Sequence, residues 1–256
     1  MAAGKKLMGL KAIVTGGAQG IGEAIARTLA LNGAWVAIAD INLQPAERVA
    51  SEVEKAGGAA WAVRADLTNR QEVTEMVKGV LDRCGAIDIL VNNAGGLNKY
   101  SPVSEIEEEE WDRIMAVNLK SSFLCSQAVA RHMIERRKGK IINIGSIAGS
   151  APNPYAVSYL PYGVAKAGVI VMTKYLAKEL GPYGITVNTV SPSTTITPGS
   201  RKFRNDEAYQ KIADQSPMRH LVEPQDIAEA VLFLASESSR YVTGVNLNVN
   251  AGALMI

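Results

Sequence analysis

The sequence predicts a doubly wound parallel α/β sheet of about seven strands with helices on both faces. Short β-branched runs alternate with longer helical patterns along almost the whole chain. The short runs are apolar with little polar alternation, as expected of strands covered on both faces. Three irregular segments, at 95–104, 146–161 and 191–215, each follow a strand, at the carboxyl edge where such sheets bind ligands.

The first strand, Ala-Ile-Val-Thr at 12–15, runs into a glycine-rich turn and a helix at 21–32. The second, at 35–39, precedes a helix at 44–55, and the third, at 60–64, precedes one at 70–84. A fourth strand at 87–91 leads through an irregular stretch to the longest helical pattern, 108–136. Strands at 140–144 and 186–190 enclose a helix at 163–180, and a helix at 225–235 leads to the last strand at 245–249. Such alternation implies right-handed crossovers. No linker, repeat or low-complexity segment interrupts it, so residues 1–256 are read as one domain.

Composition narrows the function classes. Hydrophobic residues make up 47% and charged residues 20%, and the formal charge of +2 gives no pull toward nucleic acid. The densest cationic run, Arg136-Arg137-Lys138, reads as a helix end, where positive charge complements the dipole. Cys84 and Cys125 are far apart, fit neither a disulfide framework nor a metal site, and read as buried apolar residues. Lysines at 5, 6 and 11 break any early apolar run, and no stretch approaches the ~18 apolar residues of a membrane span. A cytoplasmic protein without membrane partners is expected.

The first strand enters Thr15-Gly16-Gly17-Ala18-Gln19-Gly20-Ile21-Gly22 and then a helix. Glycines let the backbone approach a pyrophosphate, whose charge is stabilised by the free N–H groups of a helix start. The spacing differs from the common Gly-x-Gly-x-x-Gly fingerprint and alone is a weak signal. It gains weight from Asp40, 18 residues beyond Gly22 at the end of the second strand. A carboxylate there accepts from ribose hydroxyls and repels a 2′-phosphate, while the flanking Gln19 and Ile41 carry no charge; NAD is favoured over NADP.

Further along stand Asp66 after the third strand, Asn92-Asn93-Ala94-Gly95 after the fourth, Asn118 in the long helix, Ser146 after the fifth strand, and Tyr162-Gly-Val-Ala-Lys166. In order and spacing these motifs resemble the short-chain dehydrogenase/reductase family over essentially the whole chain. The resemblance implies a Rossmann-like fold and an NAD-dependent oxidoreductase acting on CH–OH groups. It implies that Gly16 to Gln19 wrap the phosphates, with Gly20 and Gly22 in the same turn, and that Ile21 lies beneath the nicotinamide. Asp66 and Leu67 would flank the adenine, Asn93 and Gly95 the ribose, and Thr197 would meet the carboxamide beside Thr195.

Hydride transfer leaves or consumes a proton on the substrate oxygen. A tyrosine, with its ordinary pKa near ~10, is a poor base at neutral pH. A lysine ammonium ~4 Å away, at an effective dielectric of ~20, contributes roughly 4 kcal/mol, enough to lower that pKa by about three units. Of eight tyrosines only Tyr162 has a lysine, Lys166, four residues later, on the same helix face. By the resemblance, Ser146 binds the substrate oxygen, Lys166 also binds the nicotinamide ribose, and Asn118 holds a water that links Lys166 to solvent. A plainer reading of Asn118 is a polar residue satisfying a helix irregularity.

Two departures stand out. Sixteen positions separate Ser146 from Tyr162, more than is usual in the family, so Ser150 and Ser158 compete for the serine role. Ser146 is preferred because it ends a strand. Ser191-Pro192-Ser193 stands where the family usually has Pro-Gly, and Thr195 where an apolar residue is usual.

Residues 197–215 are expected to form a helical lid bearing Arg201, Lys202 and Arg204, opposite Lys99 and Tyr100. Such cations either face solvent or recognise an anionic small-molecule substrate. A polyol or sugar and a 3-oxoacyl thioester compete as substrates. A non-catalytic dinucleotide-binding regulator would have lost Tyr162, Lys166 or Ser146, and an epimerase would carry an added substrate domain. A homotetramer is expected: the resemblance implies that the helices at 108–136 and 163–180 pair across subunits, and the apolar tail Ala253-Leu254-Met255-Ile256 suits burial in a further contact.

Overall fold

A computed structural model describes residues 5–97, 100–152 and 160–256. Lys99 and Ser158, and most of the extra residues before Tyr162, lie outside the described residues.

Seven parallel strands form one sheet in the order β3-β2-β1-β4-β5-β6-β7. They are β1 (Lys11–Thr15), β2 (Trp35–Asp40), β3 (Ala59–Arg64), β4 (Ile89–Asn92), β5 (Gly139–Ile144), β6 (Ile185–Pro192) and β7 (Asn246–Val249). The chain steps outward from β1 to β3, then returns to lay β4 on the other side of β1. Connections leave these neighbours in opposite directions, which opens a crevice at their carboxyl ends.

Strand neighbours point to opposite faces, and both faces are buried. Val14 packs in a cluster with Ile25, Leu29, Val49, Ile227 and Val231, whereas Ile13 packs in another with Val77, Leu90, Val129, Met133 and Ile141. The first cluster is covered by α1 (Gly20–Leu31), α2 (Leu43–Lys55) and α8 (Pro224–Ala235), the second by α3 (Arg70–Cys84), α5 (Ser121–Arg136) and α6 (Leu160–Leu180). This two-sided burial explains why the strands read as unbroken apolar runs. Between them stand α4 (Glu108–Met115) before α5, and α7 (Asp206–Gln215) before α8.

The structure departs from the expected elements in one place that matters. The pattern at 108–136 is not one regular helix: a π-helical turn, Ala116–Lys120, separates α4 from α5 and carries Asn118. An inserted residue widens a helix locally and frees a backbone carbonyl, and side chains then take up the slack. Elsewhere the differences are at element ends. Arg136 closes α5 by donating to the Ile87 carbonyl and pairing with Asp88 at 3.0 Å. Cys84 and Cys125 are free thiols, and burial pushes Cys125 up to about 12, which makes it inert. Among the described residues no helix is long and apolar enough to cross a membrane.

Candidate active site

The crevice at the carboxyl ends of β1 and β4 is a cleft of about 810 Å³. Gly16, Gln19, Gly20, Ile21, Gly22, Asp40, Ile41, Asp66, Leu67, Asn93, Gly95, Ser146, Tyr162, Lys166, Thr195 and Thr197 all line it. Asn118 lies behind the wall.

At one end the cleft is made largely of backbone. Gly16 has φ 62°, and a Cβ at Gly22 would stand 2.1 Å from the Gly16 carbonyl oxygen. The turn is thus too tight for any side chain there, and it delivers the unpaired N–H groups of α1 to the cleft. Thr15 and Asn93 fasten it. The Thr15 hydroxyl donates to the Val91 carbonyl and accepts from the amides of Asn93 and Ala94. Asn93 Nδ2 donates to the carbonyls of Thr15 and Gly16, each at 2.9 Å.

Asp40 is buried rather than a solvated strand end. Its carboxylate accepts from the Ala18 amide at 3.2 Å and the Asn42 amide at 3.0 Å, so it also braces the glycine turn. Asp66 accepts from the hydroxyl and amide of Thr68, bonds that hold its carboxyl below the usual value. This cradle fits a dinucleotide: glycines where a Cβ would intrude, a helix start for the phosphates, and carboxylates for the ribose and adenine.

The other end is made of side chains. Ser146 follows β5 with an extended backbone, and its Oγ accepts from the Ala148 amide at 3.2 Å. Ser146 and Tyr162 share the cleft wall, and the Ser146 side chain acts on the Tyr162 hydroxyl in favour of its ionised form. Ser150 instead meets Asn246 and is not on the cleft wall. Lys166 is buried, its Nζ donates to the Ile144 carbonyl at 2.8 Å, and it stands 5.7 Å from the centre of the Tyr162 ring. Burial lowers the Lys166 ammonium to about 8.

The expected depression of the Tyr162 pKa is corrected by this geometry. Burial raises the phenol above its ordinary value, with the Ser146 side chain acting against that and Tyr100 adding to it. Both partners of the Tyr162–Lys166 pair are desolvated, which disfavours both charged forms, and the ammonium is aimed at a backbone carbonyl.

Asn118 occupies the π turn. Its Oδ1 accepts from the Gly96 amide and its Nδ2 donates to the carbonyls of Gly96 and Ile114. A Cβ on Gly95 would come 2.6 Å from Asn118 Oδ1 and 3.5 Å from Lys166 Nζ, so this glycine lets the two side chains share one corner. The helix irregularity and the loop after β4 are thus satisfied by one amide.

Of the lid cations, Lys202 and Arg204 line the cleft, and Arg201 does not. Arg201 pairs with Asp206 at 2.9 Å in the first turn of α7. Sequence reasoning missed three supports: the Thr15 hub, the Ala18–Asp40 bond, and Arg48, which donates to the Ala18 carbonyl while pairing with Glu23 and Glu52. Only the Arg48–Glu52 spacing of four was visible in advance.

The chain matches the family model described as enoyl-(acyl carrier protein) reductase over residues 16–253. It is a short-chain dehydrogenase/reductase. It is 39% identical over 249 residues to the 3-oxoacyl-[acyl-carrier-protein] reductase FabG of Staphylococcus epidermidis, covering 97% of this chain and 100% of that one. It is 41% identical over 241 residues to the (2S)-[(R)-hydroxy(phenyl)methyl]succinyl-CoA dehydrogenase subunit BbsD of Thauera aromatica, covering 94% and 95%. Among solved structures it resembles gox2181 with a TM-score of 0.93 and 34% identity, covering 97% of this chain and 96% of that one. The protein is an oxidoreductase of a family that binds a nicotinamide cofactor, on a Rossmann-like fold.

Proposed function

We propose that the protein transfers a hydride between NAD(H) and a secondary alcohol or the matching ketone, with Tyr162 as acid/base. The observation that carries this reading is the convergence of Ser146, Tyr162 and Lys166 on one cleft wall, with the Lys166 ammonium 5.7 Å from the centre of the Tyr162 ring. The cofactor, when bound, supplies or accepts the hydride at the carbinol carbon. In reduction, negative charge develops on the substrate oxygen, where Ser146 donates a hydrogen bond and Tyr162 delivers the proton. A phenol kept protonated by burial is well prepared for that direction. In oxidation Tyr162 takes the proton from the substrate hydroxyl, and the Ser146 side chain favours the ionised phenol that receives it. Asn118 acts through its neighbours by holding the loop at Gly95 and Gly96 against the π turn.

The NAD preference is supported by the buried Asp40 carboxylate and by Arg48, whose charge is shared by Glu23 and Glu52. A second reading, reduction of 3-oxoacyl thioesters, is supported by the name of the Staphylococcus relative. The test is to measure turnover with NAD(H) and NADP(H) across secondary alcohols, polyols, hydroxy acids and hydroxyacyl thioesters. Turnover of small alcohols or hydroxy acids with NAD is expected; turnover confined to thioesters would select the second reading.

The same reading includes a cytoplasmic homotetramer. The exposed apolar residues Phe123 on α5 and Val171 and Tyr175 on α6 support pairing of these helices between subunits. A sedimentation experiment showing a monomer at micromolar concentration would remove it.

A further inference from the structure

Behind the glycine turn stands a closed group of four charges. Glu23 and Arg27 lie one turn apart on α1 and pair at 2.8 Å, and Arg48 and Glu52 lie one turn apart on α2 and pair at 3.1 Å. The two helices are then cross-linked, by Arg48 to Glu23 at 2.9 Å and by Arg27 to Glu52. Two guanidiniums and two carboxylates leave the group with no net charge. Ion pairs this exposed contribute little to stability one by one, but each fixes where its partner's charge lies.

The group touches the glycine turn at one residue. Arg48 Nη2 also donates to the Ala18 carbonyl at 3.4 Å, while the Ala18 amide donates to the Asp40 carboxylate at 3.2 Å. Ala18 is buried, so a single buried residue links the Arg48 guanidinium to Asp40. Asp40 and Asp66 are the carboxylates among the described residues lining the cleft, and Arg48 is not on its wall. The two sides of Ala18 thus differ in charge. A carboxylate faces the cleft, and the guanidinium behind is already matched by Glu23 and Glu52.

We propose that Glu23 and Glu52 set the choice of nucleotide from behind the cleft wall, by cancelling a guanidinium that would otherwise offset Asp40. The inference rests on the reading of Asp40 as the ribose carboxylate and extends it to residues outside the cleft. Arg48 is a positioning residue: it acts through the Ala18 peptide and through its field. NADP differs from NAD by a phosphate on the adenosine ribose, with about two negative charges. An unmatched cation about 10 Å from such a group, at an effective dielectric of about 20, changes its binding constant on the order of tenfold per charge. The neutral quartet supplies no such attraction, and the repulsion from Asp40 stands.

The experiment measures the dissociation constants of NADH and NADPH by nucleotide fluorescence, with no substrate present. In Glu23→Gln/Glu52→Gln the ratio of the two constants should move toward NADPH by about tenfold or more. In Arg48→Gln the two glutamates face Arg27 alone, and the ratio should move the other way, further toward NADH. Adding Arg48→Gln to the double variant should remove most of its shift. Adding Arg27→Gln, a residue with no bond to Ala18, should leave most of it. Arg48 is exposed, so the shift should shrink as salt is raised. Should the double variant fail to fold, Glu52→Gln alone is read instead, with part of the same shift expected.

A purely structural role would weaken both nucleotides together and leave their ratio where it was. That outcome in the folded variants overturns the inference, as does a shift toward NADPH in Arg48→Gln. Equal binding of NADH and NADPH by the parent overturns the NAD reading instead, and the displacement of the ratio between parent and Glu23→Gln/Glu52→Gln still decides the inference by itself.

Discussion

The two ends of the cleft are built on different plans. At the adenosine end the functional groups are backbone amides and short side chains tied to the sheet: Thr15, Asn93 and Asp40 each make bonds that hold the glycine turn in place. At the other end the cleft is lined by long side chains, Tyr162, Lys166, Lys202 and Arg204, of which the last two come from the segment after β6, outside the sheet. The difference teaches where an alteration damages folding and where it damages chemistry. Groups at the first end are structural before they are ligands, whereas removing one at the second end leaves the scaffold intact.

Tyr162→Phe tests the chemical end most sharply. The ring still packs, so kcat should fall about 10²- to 10⁴-fold with the NAD dissociation constant nearly unchanged. Retention of more than about a tenth of wild-type kcat would take the acid/base role away from Tyr162.

Lys166 gives the next largest effect, and it is a gain in stability. Its ammonium is lowered in the folded chain to about 8 from 10.5, so between those values the unfolded state binds the extra proton. Unfolding free energy should therefore rise with pH across that window, and below it the buried charge costs about 3 kcal/mol. Lys166→Met should be inactive, more stable at pH 7, and should lose that part of the pH slope. Denaturant midpoints that do not differ between variant and parent at pH 7 would show the ammonium to be adequately solvated.

At the adenosine end Asn93→Ala should cost about 1–3 kcal/mol in chemical denaturation, because two carbonyls lose their donor, and NAD affinity should fall with it. A variant that binds NAD poorly while unfolding like the parent would break the contrast between the ends.

The smallest effect is expected at Asp40. Asp40→Ala should narrow the preference for NAD over NADP by weakening one and relieving repulsion of the other, with about 1 kcal/mol lost in stability since the Ala18 and Asn42 amides lose an acceptor. Equal kcat/KM for the two cofactors in the unaltered protein would contradict the reading directly.

Legibility in the sequence followed the same division. The strands, most helices and the glycine turn could be read because two-sided burial and turn chemistry leave periodic, local marks. Ser146 could be chosen over Ser150 because a strand end fixes a side chain's position. Residue identity says nothing of the π turn at Ala116–Lys120, whose widening depends on the loop that Asn118 must reach. Nor does it show how deeply Tyr162 and Lys166 are buried, and burial raises the phenol rather than lowering it. Arg201 and Arg204 look alike in sequence, yet the first pairs with Asp206 and the second lies over the Tyr100 ring.

The rooting of the lid at Ser200 and Tyr209 has an evolutionary consequence. The residues between Ser200 and Asn205 hang from a short bridge with two piers, Ser200 tied to Thr195 and Tyr209, and Asn205 capping α7. Mutations there can exchange one charge or shape for another without disturbing the strands, the phosphate turn or the hydride-transfer machinery. The four residues Arg201, Lys202, Phe203 and Arg204, exposed or half-exposed, can therefore change while the phosphate turn and the wall of Ser146 and Tyr162 stay as they are.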